Sequence, residues 1–238
     1  MKKLSILLIG IALLAISCRD TFHMSIKGNG HIANEERPIS SFNEIKSSGN
    51  FNVFITNDSI NSIIVEAEEN LIPYISTSIN GNKLTLKKQN NRNLRNTEPI
   101  NIYVRTNSIS HVSLSGSGYI NIENVNTSFF ELDISGSGDI DCEADANYID
   151  VDISGSGELT LKGSTDKTEL HISGSGKISS YNLEQNTCFA KISGSGNIYA
   201  NVLELLDVRI SGSGDVHYIG FPDINTSISG SGNVINHN

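Results

Sequence analysis

The chain has 238 residues, a formal net charge of −9, and 6% aromatic residues with no tryptophan. Its basic residues are few and scattered, whereas a nucleic-acid-binding surface needs a basic stripe with interleaved aromatic side chains, so we predict no nucleic-acid partner. Length and composition agree with one elongated domain.

The first 18 residues predict export. Lys2 and Lys3 form a basic start, an apolar stretch too short to span a bilayer follows, and small residues precede Cys18. This pattern resembles a bacterial lipoprotein signal, which implies cleavage before Cys18 and attachment of a lipid such as palmitate to it. A plain cleaved signal peptide, in which Cys18 has no role, is the alternative. We therefore expect a signal peptide at 1–17, a short tether at 18–25 and one domain at 26–238.

Residues 26–113 predict strands without a fixed period. The dipeptide Asn80-Gly81, between two apolar runs, is a two-residue hairpin signal. The polar run at 87–98 is predicted to be a mobile loop. Two segments, 26–32 and 45–51, match in degenerate form the repeat that follows, with Ile26 and Ile45 each in the place of Ile134. We read this region as degenerate coils with a hairpin excursion.

Residues 114–238 contain seven copies of Ser-Gly-Ser-Gly, each preceded by an aliphatic residue and followed, one residue further on, by another. The copies start at Ser115, Ser135, Ser154, Ser173, Ser193, Ser211 and Ser229. On both sides of each copy, apolar residues alternate with polar ones at a period of two, which is typical of strands with one buried face. A fixed period of this size predicts stacked units that bury their apolar faces against one another. We predict an all-β, single-domain parallel β-helix with coils of 18–20 residues, each containing two short strands and two turns.

The glycines of the repeat are predicted to form the corners of the coils. A sharp corner next to another coil demands positive φ and a close approach of two backbones, and glycine allows both. The predicted corner residues are Gly116, Gly118, Gly136, Gly138, Gly155, Gly157, Gly174, Gly176, Gly194, Gly196, Gly212, Gly214, Gly230 and Gly232.

Two further cysteines, Cys142 and Cys188, lie at inward positions of different strand columns. They are two coils apart, too far for a disulfide bond. We expect both to be buried as small apolar side chains.

Acidic residues cluster at outward positions before the corners. They are Glu131, Asp133, Asp150, Asp152 and Glu169. Three interpretations are open: a solvated face partly neutralised by His171 and Lys191, a face that binds a divalent cation such as Ca²⁺, or acid/base chemistry on a glycan. We favour the solvated face, assign no catalytic residue, metal or cofactor, and keep the five acids as a candidate cation face.

The Ile-Ser-Gly-Ser-Gly-x-Ile coils, preceded by Phe-Asn-Glu-Ile at 42–45, Gly-Asn-Phe-Asn-Val at 49–53 and the lipoprotein leader, resemble the putative auto-transporter adhesin, head GIN domain family. The resemblance extends over about residues 41–233. It implies a right-handed parallel β-helix and an exported protein of Bacteroidetes-type bacteria, and it supplies no catalytic residues.

These observations predict a non-enzymatic, lipid-anchored cell-envelope protein, most simply of the outer membrane. It would be an adhesin-like structural or binding module, with the membrane and a glycan or protein ligand as partners. One alternative is a carbohydrate-active β-helix lyase or hydrolase, in which Asp133, Asp152 and His171 would line a cleft rather than an open wall. The other is a periplasmic accessory lipoprotein of the envelope.

Overall fold

The computed structural model describes residues 24–89 and 92–238, which form a β-solenoid of about seven turns. The predicted all-β parallel fold is confirmed. The predicted signal peptide, most of the tether and Cys18 lie outside the described residues.

The described residues of the N-terminal half form nine strands and one 3₁₀ turn. They are β1 (Met24–Lys27), β2 (Ile32–Glu36), β3 (Glu44–Gly49), β4 (Asn52–Asn57), β5 (Ser62–Glu68), the 3₁₀ turn (Ile72–Tyr74), β6 (Ile75–Asn80), β7 (Lys83–Lys88), β8 (Arg92–Arg95) and β9 (Asn101–Thr106). The C-terminal half consists of β10 (His111–Gly116), β11 (Tyr119–Gly136), β12 (Asp139–Gly155), β13 (Glu158–Gly174), β14 (Lys177–Gly194), β15 (Asn197–Gly212), β16 (Asp215–Ile219), β17 (Asp223–Gly230) and β18 (Val234–Asn236).

The strands from β10 to β18 stack in parallel, each coil directly on the one before it. Tyr119 lies beside Asp139, and the same column continues through Glu158, Lys177, Asn197 and Asp215. Successive members of this column are 18 to 20 residues apart, which confirms the predicted coil length. Apolar side chains at alternate positions are buried in the interior of the coil, where each contributes roughly 1.5–3 kcal/mol to stability.

The expectation of two short strands per coil is wrong. Each full coil is one strand of 16 to 18 residues that bends without leaving the ladder. Local shifts of register, such as those after Ile122 and Thr160, let the chain turn while pairing continues, as β-bulges do. Gly163 has a φ of +118° at one of these bends, and an added Cβ there would collide with the carbonyl oxygen of Ala144. The Ser-Gly-Ser-Gly pattern did not point to Gly163.

The two glycines of each corner have different roles. Gly136 has a φ of +127°, and a Cβ at that position would lie 2.6 Å from the carbonyl oxygen of Gly116. Gly138 has no such φ, but a Cβ there would lie 2.6 Å from the carbonyl oxygen of Gly118 and 2.7 Å from a methyl group of Leu114. The first glycine is therefore required by backbone conformation and by close packing, and the second by close packing alone.

Cys142 and Cys188 are free and buried in the interior, as predicted. Burial raises the pKa of both thiols, that of Cys188 to about 12, so both are neutral at physiological pH. The last coil is less covered. Ile224 and Ile228 stand in the inward columns of β17, yet they are 41% and 43% exposed because no described strand covers that end.

The two degenerate repeats correct the predicted start of the solenoid. Residues 45–51 do form a coil, but Gly49 pairs with Gly116, the first glycine of its corner, and Ile45 pairs with Val112. The predicted alignment placed Gly49 at the second glycine and is wrong by two residues. The physical reason is that the first position alone needs positive φ, and Gly49, with a φ of +146°, is the glycine that supplies it.

The second degenerate repeat, at 26–32, is not a coil of the solenoid. Strand β1 pairs with β8 in a separate two-stranded sheet, and β2 runs antiparallel to β5. Part of the predicted loop at 87–98 is therefore strand β8, while residues 90 and 91 lie outside the described chain. The hairpin is confirmed between β6 and β7, but its turn is Gly81-Asn82, one residue later than the predicted Asn80-Gly81, because Asn80 still pairs with Lys83.

A buried carboxylate directs the path of this N-terminal segment. Glu68 accepts hydrogen bonds from the backbone N–H of Gly30 at 2.7 Å, from the N–H of Thr97 at 2.8 Å and from the hydroxyl of Thr97 at 2.7 Å. Burial by itself would raise the pKa of Glu68, but these hydrogen bonds outweigh burial and hold the pKa below its ordinary value. The chain around residues 28–30 therefore wraps this carboxylate instead of forming a coil.

Candidate functional site

The outward side chains before the corners of β10 to β14 form one charged surface, which we call the acidic wall. Its first column contains His111, Glu131, Asp150, Glu169 and Phe189, each beside the next. Its second column contains Ser113, Asp133, Asp152, His171 and Lys191. The structure thus brings all five acids of the predicted cation face together on three neighbouring rungs, and rungs of parallel strands are ~4.8 Å apart.

Asp150 lies at the centre of the acidic wall, between Glu131 and Glu169. Partial burial, and then the charges of Asp152, Glu169 and Glu131, raise the pKa of Asp150 above its ordinary value. Two neighbours lie beside a basic side chain. Lys167 donates a 2.7 Å hydrogen bond to Glu169 and lowers the pKa of that carboxyl, and His171 Nδ1 lies 3.3 Å from Asp152 Oδ1.

At one end of the acidic wall, a histidine lies among carboxylates. His111 Nε2 is 2.8 Å from Asp133 Oδ2, and His111 Nδ1 is 3.9 Å from Glu44 Oε2. One possible ligand atom from each of His111, Glu131 and Asp133 can be chosen so that all lie within 4.8 Å of one another. Sequence reasoning did not include His111 in the cation face, and its alignment of the degenerate repeat placed Glu44 in the column of Asp133, two residues away from its true column. With the correct register, Glu44 stands directly beside His111.

Basic residues flank the acidic wall at both ends. Lys83, on the hairpin strand β7, forms a 2.8 Å ion pair with Glu44 and lies beside a depression of about 420 Å³ that His111, Asp133 and Asp152 also line. At the other end, Lys191, Arg209 and Phe189 line a depression of about 220 Å³. Charge along this surface therefore runs from basic through acidic to basic.

The predicted catalytic candidates stand on an open surface. The side chains of Asp152 and His171 are 62% and 44% exposed. The side chain of Asp133, which contacts His111, is 36% exposed. The depressions that they line are open to solvent, so these three groups lie on an open wall rather than in a cleft.

A second feature, which the sequence did not indicate, is an aromatic ladder on the strands after the corner. The rings of Tyr199 and His217 stack 4.6 Å apart with planes 5° from parallel, Tyr181 meets Tyr199 edge-on at 5.6 Å, and His237 lies 5.0 Å from His217. Stacked rings turn their faces toward each other and not toward solvent. The ladder therefore acts mainly as cross-strand packing that supports the coils.

The fold and this surface define a β-solenoid protein that presents an open, charged wall. Comparison with known families extends this. The chain belongs to the family described as putative auto-transporter adhesin, head GIN domain, whose model matches residues 41–222. This is the family that the repeats resembled, and its adhesin-like character suggests an extracellular or envelope-associated protein.

Several solved structures share the fold of this chain. The chain is similar to a putative adhesin from Bacteroides fragilis, with a TM-score of 0.82 and 26% identity over 89% of this chain and 100% of that chain. It is also similar to a putative lipid binding protein from Parabacteroides distasonis, with a TM-score of 0.77 and 25% identity over 90% of this chain and 100% of the other. A putative adhesin from Parabacteroides merdae shares the fold, with a TM-score of 0.74 and 20% identity over 90% of this chain and 99% of the other. A comparison with curated proteins gives no match.

The described part of the chain has no helix long and apolar enough to cross a membrane.

Proposed function

We propose that this protein is a non-enzymatic binding module of the bacterial cell envelope, anchored through a lipid on Cys18, which binds a glycan or protein ligand along the acidic wall. The observation that carries the proposal is the openness of this wall, on which charged side chains of consecutive rungs stand side by side and are at least partly exposed. Membership of an adhesin-like family agrees with it.

The same geometry argues against glycan cleavage. A glycoside hydrolase places an acid and a second carboxylate on opposite sides of the bond that breaks. The side chains of the acidic wall all project from one surface, so a glycan lying on it would meet them from one side. The raised pKa of Asp150 does not by itself mark a catalytic acid, because Glu131 and Glu169, which lie beside Asp150 on the two neighbouring rungs, contribute to it.

A binding assay with a matched control tests the wall. The purified chain from residue 19 onward would be applied to arrays of glycans and of envelope and matrix proteins, together with Asp152→Ala and with the control Thr160→Ala, which changes a partly exposed residue on the strand after the corner. We expect Asp152→Ala to lose binding and Thr160→Ala to keep it. Equal binding by all three proteins refutes the assignment of the wall. Release of products from any glycan would support the enzyme alternative.

The anchor is tested separately. Cells that produce the full chain should incorporate a palmitate analogue into it, and Cys18→Ala should not be labelled. Label retained in Cys18→Ala, or absent from both proteins, contradicts the anchor. Protease treatment of intact cells then decides between the surface and the periplasm. Protection of the chain in intact cells but not in lysed cells favours the periplasmic accessory lipoprotein.

A further inference from the structure

One end of the acidic wall has the composition of a transition-metal site. His111 comes from β10, and Glu131 and Asp133 come from the adjacent rung of β11, where Glu131 lies directly beside His111. All three side chains are partly buried. The cluster combines an imidazole nitrogen with two carboxylates, whereas the acids further along the wall have no such histidine between two rungs of carboxylates.

We propose that His111, Glu131 and Asp133 bind a divalent transition-metal ion such as Zn²⁺. Zinc binds histidine nitrogen and carboxylate oxygen at about 2.0–2.2 Å, and three protein ligands leave a fourth position open. Ligand atoms that already lie within 4.8 Å of one another need only small rotations of their side chains to converge on one ion. His111 Nε2 is 2.8 Å from Asp133 Oδ2, and a bound ion would replace this contact.

The surroundings of His111 suit a metal ligand on its other side as well. Metal-binding histidines commonly direct their second ring nitrogen at a carboxylate, which sets the orientation of the ring and strengthens it as a ligand. Glu44 lies on this side of the ring, with Oε2 at 3.9 Å from His111 Nδ1, and a rotation of either side chain would bring the two within hydrogen-bond distance. Glu44 is held there by Lys83 at 2.8 Å and by a 2.8 Å hydrogen bond from Asn82.

The nitrogen ligand also decides the class of ion. Ca²⁺ prefers six to eight oxygen ligands, whereas imidazole favours zinc and the later first-row metals. The predicted cation face suggested Ca²⁺ because it contained carboxylates alone. The fold places His111 beside Glu131 and Asp133, and we therefore expect zinc instead of Ca²⁺.

A second histidine on the wall provides a matched control. His171 lies 3.3 Å from Asp152, much as His111 lies beside Asp133, but its neighbour on the following rung is Lys191. A lysine ammonium repels a cation and replaces the carboxylate that the first site has. His171→Ala therefore removes a more exposed histidine of the same wall, 44% against 20% for His111, without removing the proposed site.

The test is calorimetric titration of the metal-free chain from residue 19 onward with Zn²⁺, together with thermal unfolding. We expect one Zn²⁺ per chain, a midpoint raised by about 5–10 °C at a Zn²⁺ concentration 100 times the Kd, and no comparable shift with Ca²⁺. His111→Ala should abolish this binding, His171→Ala should retain it, and Glu44→Gln should weaken it about 10- to 100-fold. Co²⁺ absorption bands that disappear in His111→Ala would report the nitrogen ligand directly.

Equal Zn²⁺ affinity of His111→Ala and the parent chain overturns the proposal, as does equal stabilisation by Ca²⁺ or no binding at millimolar Zn²⁺. Unfolding of the metal-free variants shows whether His111→Ala is folded. If it is not, loss of the Co²⁺ bands in Asp133→Asn takes its place. The proposal does not depend on the ligand of the wall or on the lipid anchor.

Discussion

Substitution of one corner glycine offers the sharpest test of how this solenoid is held together. In Gly136→Ala, a residue with a φ of +127° acquires a Cβ that would lie 2.6 Å from the carbonyl oxygen of Gly116. Strain in this region of φ costs about 1–3 kcal/mol, and forcing apart a well-packed contact costs about 1–3 kcal/mol more. We expect these costs together to lower the free energy of unfolding by about 4 kcal/mol, equivalent to a fall in Tm of about 8–16 °C for a domain of this size.

Two controls separate the two parts of this cost. Gly138→Ala keeps an ordinary φ and meets the carbonyl oxygen of Gly118 at 2.6 Å, so it isolates the close contact. Gly81→Ala, in the hairpin turn, has a φ of +62° but no atom within 4 Å of the new Cβ, so it isolates the backbone strain. Each control should lose less stability than Gly136→Ala, and Gly81→Ala should lose only about 1 kcal/mol.

The assay is urea and thermal unfolding followed by circular dichroism, with the midpoints compared between variants. Coils contact only their neighbours, so unfolding of a solenoid can deviate from two states and midpoints are the safer measure. The reasoning is refuted if Gly136→Ala unfolds at the same midpoint as Gly81→Ala. That result would mean that the stacked corners can separate at no cost.

Three further predictions concern titratable groups. Asp150→Asn should stabilise the protein by about 1 kcal/mol at pH 7, because the charge of Asp150 is repelled by Glu131 and Glu169 on the neighbouring rungs. Since folding raises the pKa of Asp150 from 3.8, this gain in stability should grow as the pH rises through the raised pKa. Thermal unfolding of the variant and the parent chain at pH 3 and pH 7 measures the difference. Glu68→Gln should lower Tm at pH 7 and speed amide exchange around residue 30. Because folding lowers the pKa of Glu68 from 4.5, the difference in Tm between the variant and the parent chain should shrink as the pH falls through the pKa of the folded state. A difference in Tm that stays constant with pH would contradict the role of the charge of Glu68. In the chain from residue 19 onward, Cys142 and Cys188 should react with a thiol reagent at pH 8 only after unfolding in urea, and rapid reaction of the native chain would show that they are not buried.

The regular coils could be predicted because their repeat reports packing directly. A corner that demands glycine, with an aliphatic residue on each side, leaves few choices of register, so the period and the inward columns followed from residues such as Ile134 and Ile140. The bend within each coil could not be predicted in this way. It is formed by register shifts at different residues in different coils, such as the one between Thr160 and Lys162, and therefore leaves no common pattern.

The candidate site was predicted in part. The acids from Glu131 to Glu169 lie on neighbouring rungs because they occur at equivalent positions of successive repeats. Glu44 and Lys83 reach the same wall from outside the regular repeats, and only the pairing of β3 with β10 and β7 reveals them.

By itself, then, the sequence determined the stacked coils, the outward acids and the buried thiols, because short-range alternation and a fixed period specify which side chains face inward. The tertiary structure decided the start of the solenoid. There Glu68 accepts hydrogen bonds from the backbone N–H groups of Gly30 and Thr97, which are distant in sequence, and this diverts the chain from forming a coil. It also decided that His111 lies between Glu44 and Asp133. The physical reason is the same in both cases: hydrogen bonds and ion pairs between distant segments depend on how the strands pair, and an aperiodic segment does not reveal its pairing in its own residues.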